Sequence, residues 1–165
     1  MMRGQKELYE IFEKLKIEFA YREHPAVATI EEAKKYWENL DSGRCKNIFL
    51  RNHKGNRHYL VILEHTMNVV MKDLEQRLGQ GKLSFASPKR LEKYLGILPG
   101  SVSPFGIIND QDHHVHLFID EKLLEFEKLS FHPNINTASL VILRSALVRF
   151  IEHHGNTFEF IKLYD

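Results

Sequence analysis

The chain has 165 residues, of which 43% are hydrophobic and 27% are charged. This size and composition fit one domain spanning residues 1–165 and exclude a large multidomain machine. The sequence has no apolar run of about 18 residues and no apolar signal-peptide core near its amino terminus, so we expect a soluble, cytoplasmic protein. Its single cysteine, Cys45, excludes an intramolecular disulfide and a thiolate-rich zinc site.

The net charge of +1 conceals a basic segment. Between Arg44 and Lys93, eleven Lys and Arg residues accompany four acids, so this segment carries +7 while the rest of the chain carries −6. Concentrated positive charge attracts polyanions such as nucleic acid even when the whole protein is nearly neutral. The same pattern also arises when basic residues only solvate helix faces and turns, so charge alone leaves both interpretations open.

The first third of the chain alternates helices and strands. Apolar residues at helical spacing before residue 16 predict an amphipathic helix, and residues 19–21 alternate as in a short strand. Thr29, followed by Glu32, has the form of a capping box that opens a second helix. The runs NIFLR and RHYLVILEH, separated by NHKGN, then predict a β-hairpin.

Helix caps mark two short helices in the middle of the chain. Apolar residues four apart predict a helix that ends at Gly79, and KLSFAS alternates like a strand. Ser87 and Pro88 supply the cap and first turn of the next helix, which ends at Gly96. The following ILPGSVSPFG is a loop by composition.

The last third of the chain predicts a buried strand between shorter elements. We expect strands at residues 105–109 and 115–119, a short helix capped by Asp120, and a longer helix that Ser145 caps. TASLVIL is uniformly apolar and predicts a buried central strand, and TFEFIKLY closes the chain as a strand. Because helices and strands mix without strict βαβ alternation, we predict an α/β fold with a mixed sheet flanked by helices.

Ten histidines raise the question of a metal site, for which the best local candidate is Asp112, His114 and His116. The two histidines would emerge from one strand face beside a carboxylate. The same spacing arises on the exposed face of an edge strand, and no HExxH helix or cysteine pair accompanies it. We therefore predict neither a metal nor another cofactor.

The sequence contains neither the GxSxG motif nor a P-loop, so an α/β-hydrolase nucleophile and a nucleotide-phosphate cradle lack their signatures. Cys45 would be a nucleophile if a neighbouring base lowered the pKa of its thiol. A small thiol at the start of an apolar strand is more often a packing residue, which is the interpretation we favour.

Three short segments offer binding chemistry. Lys46 and Asn47 place a cation and an amide at the mouth of a buried strand, where a rigid sheet fixes side chains. The backbone N–H groups of GSVSP, residues 100–104, offer a nest for an anion or a developing oxyanion. FHPNIN, residues 131–136, adds an imidazole and two amides. Taken singly, these segments also fit an exposed lysine, an ordinary turn and a polar strand end.

The order of these segments is more specific than any one of them. HPAVATIEEA, which begins at His24, followed by CKNIFL, GSVSPFG and FHPNIN, resembles the YbaK/ProX family of aminoacyl-tRNA deacylases, especially its free-standing prolyl-tRNA editing proteins. The resemblance runs from about His24 to the last strand. It implies a mixed, partly barrel-like sheet with surrounding helices. It also implies hydrolysis of alanine from mischarged tRNA(Pro), with tRNA as partner and prolyl-tRNA synthetase as a second partner to test.

The resemblance further implies roles for individual residues. The catalytic set is Lys46, His132 and Gly100. The substrate-binding set is Thr29, Asn47, Ser101, Val102, Ser103, Pro104 and Asn136. The basic segment would contact the acceptor stem through Arg77, Lys82, Lys89 and Arg90.

Two aspects of this function stay open in the sequence. Lys46 would act as an ammonium that orients the substrate's phosphate or carbonyl, beside a water positioned by the substrate's ribose, or as a base if burial lowers its pKa. The alternatives to alanyl-tRNA(Pro) are cysteinyl- or seryl-tRNA, and a non-catalytic module that senses tRNA or an amino acid.

Overall fold

A computed structural model describes residues 2–26 and 43–164 of the chain. The predicted second helix, with its capping box at Thr29, lies outside these residues. The strands are β1 Phe19–Glu23, β2 Gly43–Asn52, β3 His58–Glu64, β4 Leu83–Phe85, β5 Val115–Asp120, β6 Lys128–Phe131, β7 Ala138–Leu143 and β8 Phe158–Ile161. The α-helices are α1 Lys6–Leu15, α2 Met71–Leu78, α3 Pro88–Leu95 and α4 Arg144–His154, and 3₁₀ helices span Pro104–Asn109 and Glu121–Glu125.

All eight strands join one mixed sheet in the order β1-β7-β6-β2-β3-β5-β8, with β4 paired to β2. Three neighbouring pairs are parallel, namely β6 with β2, β3 with β5 and β5 with β8. The other pairs are antiparallel, including the predicted hairpin of β2 and β3. The prediction of a mixed sheet flanked by helices is confirmed.

The sheet curls around the main core. Phe49 and Leu60 from one half of the sheet meet Leu129 and Leu140 from the other half in one buried cluster, together with residues of α1, α3 and α4. A sheet whose two halves enclose one core agrees with the partly barrel-like shape that the resemblance implies. A smaller cluster, which includes Leu50 and residues of α2, covers the opposite face of the hairpin.

Local chemistry explains why several predicted boundaries are confirmed. The Ser87 hydroxyl accepts a hydrogen bond from the Arg90 N–H and caps α3, and Asp120 caps the 3₁₀ helix that follows it. Gly79 and Gly96 end α2 and α3 in the left-handed conformation. Short caps of this kind depend on neighbouring residues only, so sequence reveals them.

Two predictions are wrong, and one strand was not predicted. The segment at 105–109 is a 3₁₀ helix because the Ser103 side chain caps it and Pro104 occupies its first turn. α4 begins at Arg144 with Leu143 at its N-cap, so Ser145 lies inside the helix rather than capping it. Strand β6 was not predicted, because its four residues lie between a short helix and a polar loop.

Within the described ranges, no helix is both long and apolar enough to cross a membrane.

Candidate active site

The candidate site lies where two strands part. The start of β2 pairs with β6, at Gly43 with Leu129 and at Arg44 with Ser130, whereas β2 pairs with β3 from Cys45 onwards. Beyond Arg44, β6 leaves β2, and a fork opens in the sheet beside Lys46. Side chains at such a fork are held by rigid strands while one side stays open to a ligand.

Lys46 is half-buried and turned away from the main core. Its register partner Leu63 belongs to the smaller cluster, whereas Cys45 packs against the main core, as alternation along a strand requires. The Lys46 Nζ donates a hydrogen bond of 2.9 Å to the backbone carbonyl of Met67. A backbone acceptor therefore fixes the position of the lysine at the fork.

Asn47 follows Lys46 and points to the opposite face of β2. Its side-chain oxygen Oδ1 is buried and has no hydrogen-bond partner among the described residues. An unpartnered buried acceptor costs about 1–3 kcal/mol, so it is rare in a native protein unless a ligand or water completes it. Lys46 and Asn47 therefore line the fork from opposite faces of β2.

His132 comes directly after β6. Lys46 and His132 each come two residues after the last register pair of β2 and β6, Arg44 with Ser130. Its Nδ1 lies 2.9 Å from the carbonyl oxygen of Ala138, which can only accept, so Nδ1 carries the proton. Burial lowers the pKa of His132, and the nearby His24 lowers it further against the opposing effect of the Ala138 carbonyl. The imidazole is therefore neutral, and no partner within residues 2–26 and 43–164 bonds its Nε2.

His24 and Ser139 are site neighbours that the sequence did not identify. The His24 ring packs edge-on against His132 with centroids 5.9 Å apart, and its Nε2 lies 2.8 Å from the Ser139 hydroxyl. The His24 Nδ1 lies 2.8 Å from the carbonyl oxygen of Pro25, which fixes its tautomer. The sequence signal is the repeated His-Pro pair, at residues 24–25 and 132–133.

The GSVSP loop reaches the same region through Asn136. A Cβ atom on Gly100 would lie 3.8 Å from the Asn136 side-chain nitrogen, and the φ of +89° at Gly100 is one that L side chains rarely adopt. The Ser103 hydroxyl accepts the Phe105 N–H, and the Ser101 N–H donates to the Leu98 carbonyl. These bonds give the loop its shape.

The remaining residues of the predicted substrate set differ in placement. Val102 packs half-buried against the main core, and Pro104 is buried at the start of the 3₁₀ helix. Thr29, the last predicted member, lies outside the described residues. The structure therefore places Lys46 and His132 each two residues past the end of the β2–β6 pairing, and it places Gly100 close to Asn136.

Cys45 behaves as a packing residue. Its Sγ lies 3.7 Å from the Gly43 carbonyl oxygen, and its side chain packs against the main core. Burial raises the pKa of the Cys45 thiol, and the neighbouring Glu64 raises it further. The thiolate that a nucleophile would require is therefore disfavoured.

The two histidines of the candidate metal site, His114 and His116, each have another hydrogen-bond partner. His116 lies in β5 and bonds to the Thr157 hydroxyl at 2.6 Å, whereas His114 precedes the strand and bonds to His58 at 2.9 Å. His114 immediately precedes β5, which begins at Val115, and the two histidines line one depression of about 450 Å³. Across residues 2–26 and 43–164, no three His, Cys, Asp or Glu side chains gather as a metal site.

The four predicted RNA contacts lie on different parts of the molecule. Arg77 lies in the last turn of α2, on the side of the sheet that the smaller cluster covers. Its Nη1 lies 3.5 Å from the Lys162 carbonyl oxygen. Lys82 and Lys89 flank the turn of the β2–β3 hairpin on its two sides. Lys82 shares a depression of about 420 Å³ with Lys54 and Arg57.

Lys89 lines a second depression, of about 360 Å³, on the other side of the same turn, together with Lys93 and Gly55. Neither depression has an acidic residue among its described lining residues. We call Lys54, Arg57, Lys82, Lys89 and Lys93 the hairpin-end surface.

Arg90 is directed inward instead. Its Nη1 donates to the Gly55 carbonyl at 3.0 Å and to the His58 Nε2 at 3.1 Å. His58 then donates from Nδ1 to the Nε2 of His114, because its Nε2 is already an acceptor. Burial, followed by the charges of His114 and Arg90, lowers the pKa of His58 to about 4.

Comparison with known proteins gives a consistent result. The sequence profile of the aminoacyl-tRNA editing domain matches residues 24–150. The chain is 41% identical over 152 residues to "Prolyl-tRNA editing protein ProX" of Acetoanaerobium sticklandii, which covers 92% of each chain. It is 32% identical over 155 residues to "Prolyl-tRNA synthetase associated domain-containing protein 1" of Danio rerio, which covers 93% of this chain and 84% of the relative.

The fold is also similar to that of solved structures. A crystal structure of a candidate trans-editing enzyme for prolyl-tRNA synthetase superposes with a TM-score of 0.67 at 18% identity, and the match covers 97% of this chain and 99% of the other. At this identity the likeness concerns the fold alone.

Proposed function

The chain belongs to the family of aminoacyl-tRNA editing domains and is an aminoacyl-tRNA deacylase, and we propose that it removes alanine from mischarged tRNA(Pro). The observation that carries this proposal is the 41% identity to the ProX protein along nearly the whole chain. The motif order from His24 to Asn136 supports the same substrate.

Binding energetics explain why such an enzyme is needed. A synthetase pocket that accommodates proline cannot strongly reject the smaller alanine, since each missing methylene discriminates by only about 1–3 kcal/mol. A second, smaller pocket that admits alanine and excludes proline corrects the error. We assign Thr29 to the border of this pocket.

The proposed chemistry demands little of the protein. An aminoacyl ester is already activated, so hydrolysis requires a held carbonyl, a positioned water and donors for the tetrahedral oxyanion. We propose that a hydroxyl of the substrate's own terminal ribose positions the water. The protein then supplies orientation and charge, and the reaction proceeds without a metal or another cofactor.

Lys46 is proposed to orient the ester or its neighbouring phosphate as an ammonium. Its hydrogen bond to the Met67 carbonyl supports this role, because a cationic donor forms a stronger bond to a carbonyl than a neutral one. His132 is proposed to act beside it, because its neutral imidazole offers an acceptor at Nε2.

Asn47 is proposed to bind the substrate through its unpartnered Oδ1. The aminoacyl end of tRNA offers donors that include its α-amino group and its ribose hydroxyls. Either would satisfy this buried acceptor, which explains why the free protein tolerates the orphaned oxygen.

The GSVSP loop is proposed to supply backbone N–H donors around the terminal adenosine and the ester. Gly100 would be the catalytic member of this set, through its backbone, with Ser101, Val102, Ser103 and Pro104 holding the loop shape. Asn136 would complete the pocket wall beside Gly100, which agrees with their proximity.

The acceptor stem is proposed to lie on the hairpin-end surface. Five residue steps along β2 lead from Lys46 to Arg51, which corresponds to about 17 Å. We propose that the 3′ end of a tRNA bound on this surface extends along β2 to the fork. Of the four predicted contacts, Lys82 and Lys89 belong to this surface, whereas we assign Arg90 to positioning the turn and Arg77 to a separate contact on α2.

The organisation and partners of the enzyme are proposals as well. We propose that residues 1–165 work as one editing domain, acting in trans in the cytoplasm on tRNA released by prolyl-tRNA synthetase. A binding measurement between the purified protein and that synthetase, with and without tRNA(Pro), tests the association.

The decisive experiment is a substrate panel. Purified protein is incubated with tRNA(Pro) carrying alanine or proline, and with alanyl-, seryl- and cysteinyl-tRNA of the cognate types. We expect fast hydrolysis of alanyl-tRNA(Pro), with prolyl-tRNA(Pro) spared, and the same rate in the presence of a strong chelator. Preference for the seryl or cysteinyl ester would overturn the substrate assignment, and a rate that collapses with chelator and returns with zinc would overturn the metal-free chemistry.

A further inference from the structure

The carbonyl that holds Lys46 belongs to a tight turn after β3. The Met67 N–H donates to the Glu64 carbonyl at 3.1 Å, which closes the turn, and the Met67 carbonyl accepts the Lys46 Nζ. The His65 N–H donates to the Arg44 carbonyl at 3.0 Å and ties the turn to the start of β2. The position of the Lys46 ammonium therefore depends on the shape of this turn.

A buried carboxylate fixes that shape. Glu64 is only 6% exposed, although it ends a strand next to solvent-facing residues. Its carboxylate accepts the Thr66 N–H at 3.1 Å, the Thr66 hydroxyl, and the His65 Nδ1 at 2.9 Å. Burying a carboxylate is costly unless hydrogen bonds compensate it, and here the partners all come from the turn itself.

Glu64 and Lys46 lie on opposite faces of the β2–β3 hairpin. Glu64 is the register partner of Cys45, which packs against the main core, and Lys46 lies on the other face. The turn crosses the end of β3 and delivers the Met67 carbonyl to the face that carries the lysine. The register partner of Glu64 is Cys45 and not Lys46, so Glu64 acts on the ammonium through the turn.

We propose that Glu64, acting through Thr66 and the Met67 carbonyl, is a positioning residue for Lys46. The proposal rests on the role of Lys46 in the proposed function. A lysine side chain loses conformational entropy when it is held, so a preformed acceptor restrains it before substrate arrives. Loosening the turn lets the ammonium move, and misplacement by about 1 Å can lower a rate by up to about a hundredfold.

Thr66 offers the cleanest test because its side chain is exposed and its replacement leaves the core intact. Thr66→Val removes the hydroxyl that donates a hydrogen bond to the Glu64 carboxylate, and Thr66→Ser keeps it. Thr157→Val is a matched control, since it removes an exposed hydroxyl that also bonds one side chain, His116, at the far edge of the sheet. Glu64→Gln tests the carboxylate itself.

Two readouts separate positioning from loss of structure. The first is kcat and KM on a minimal substrate, an alanyl ester of adenosine. The second is the rate at which a limiting amine-reactive reagent labels the Lys46 Nζ, quantified by mass spectrometry against Lys54 in the same digest. Thermal unfolding of every variant accompanies both.

We expect Thr66→Val and Glu64→Gln to lower kcat by about five- to twentyfold with little change in KM, because the lysine is misplaced but still present. Labelling of Lys46 should rise in both variants, while Thr66→Ser and Thr157→Val match the wild type. Equal losses in Thr66→Val and Thr66→Ser, or unchanged labelling of Lys46, would overturn the proposal.

The role of Lys46 is tested separately by Lys46→Ala. If that variant is inactive while Thr66→Val and Glu64→Gln are as fast as the wild type, Lys46 keeps its role and the positioning by Glu64 is wrong. If Lys46→Ala is fully active, the role assigned to the lysine fails, and the positioning proposal fails with it.

Discussion

The two ends of β2 use the same residue types for different purposes. Each end has a basic residue and a pair of histidines in contact. At the hairpin end, both ring nitrogens of His58 are occupied, one by Arg90 and the other by His114. At the fork, His132 uses only Nδ1, and no described residue bonds its Nε2.

The difference lies in which hydrogen-bonding positions are filled. A histidine whose two nitrogens both bond to protein holds elements together, and here it fastens the hairpin turn to α3 and to the segment before β5. A histidine with one nitrogen bonded to a backbone carbonyl is oriented but still available to a ligand. The fork therefore has the features of a reaction site, and the hairpin end those of a braced binding surface.

Lys46→Ala should give the largest effect. We expect hydrolysis of both alanyl-tRNA(Pro) and the minimal ester to fall by roughly 10²–10³-fold, as for removal of one preorganised electrostatic group, with the fold retained. The neighbouring Cys45→Ala is the matched control and should cost less than about threefold, because a packing thiol is lost but no charge. An inactive cysteine variant beside an active lysine variant would instead indicate a nucleophilic mechanism.

Arg90→Ala should lower stability rather than chemistry. It removes the donor to the buried Nε2 of His58 and to the Gly55 carbonyl, so we expect the free energy of unfolding to fall by about 1–3 kcal/mol in a denaturant titration. Arg90→Lys retains one donor and should lose less. If Arg90→Ala keeps wild-type stability and weakens only tRNA binding, the residue belongs to the RNA contacts after all.

The His58 pair should also make stability depend on pH. The pKa of His58 is lowered to about 4 in the folded protein, so below pH 6.5 the unfolded chain binds more protons and stability falls as the pH falls towards 4. Between pH 7 and pH 5 we expect His58 to contribute a loss of about 1–2 kcal/mol.

His58→Gln lacks this titration, so its unfolding free energy should change less over the same range, although it is less stable at pH 7. Other histidines with lowered pKa values, such as His132 and His154, titrate in both proteins and cancel in the difference. Identical pH dependence in the two proteins would contradict the assignment.

Removing charge from the hairpin-end surface should give the smallest effect, confined to tRNA. For Lys82→Ala with Lys89→Ala we expect tRNA binding to weaken by about five- to tenfold and the slope of log affinity against log salt to drop by about two. The minimal ester should be hydrolysed at the wild-type rate. Lys6→Ala with Lys14→Ala on α1 removes the same charge elsewhere, and an equal effect there would mean that only net charge matters.

Much of the site was accessible from sequence because its signals are local. The order of CKNIFL, GSVSPFG and FHPNIN identified the family, and cap chemistry located α2 and α3 without any long-range information. His24 and Ser139 were missed because their relation to His132 exists only after β1, β6 and β7 pair. The Glu64 turn was missed because nothing in EHTM indicates that its carbonyl faces a lysine on another strand.

The RNA contacts stay a prediction, and their placement on different faces could not be read from the sequence. A run of charges along the sequence cannot tell which basic side chains share a face. The sheet separates Arg77, on α2, from Lys89, on α3, because the two helices pack against the two opposite clusters. Arg90 is one residue from Lys89 but bonds inward, because the buried His58 needs a donor.

The sequence by itself determined the family, the alternation of helices and strands, and the identity of the chemical groups available. Hydrophobic period, helix caps and short motifs are properties of neighbouring residues, so they are readable without a fold. The tertiary structure alone decided which groups meet: the fork beside Lys46, the turn whose Met67 carbonyl holds the lysine, and the hydrogen bonds that direct Arg90 inward. These contacts depend on how strands pair and on which face of the sheet each residue occupies, and a register shift of one residue would move every side chain of a strand to the other face.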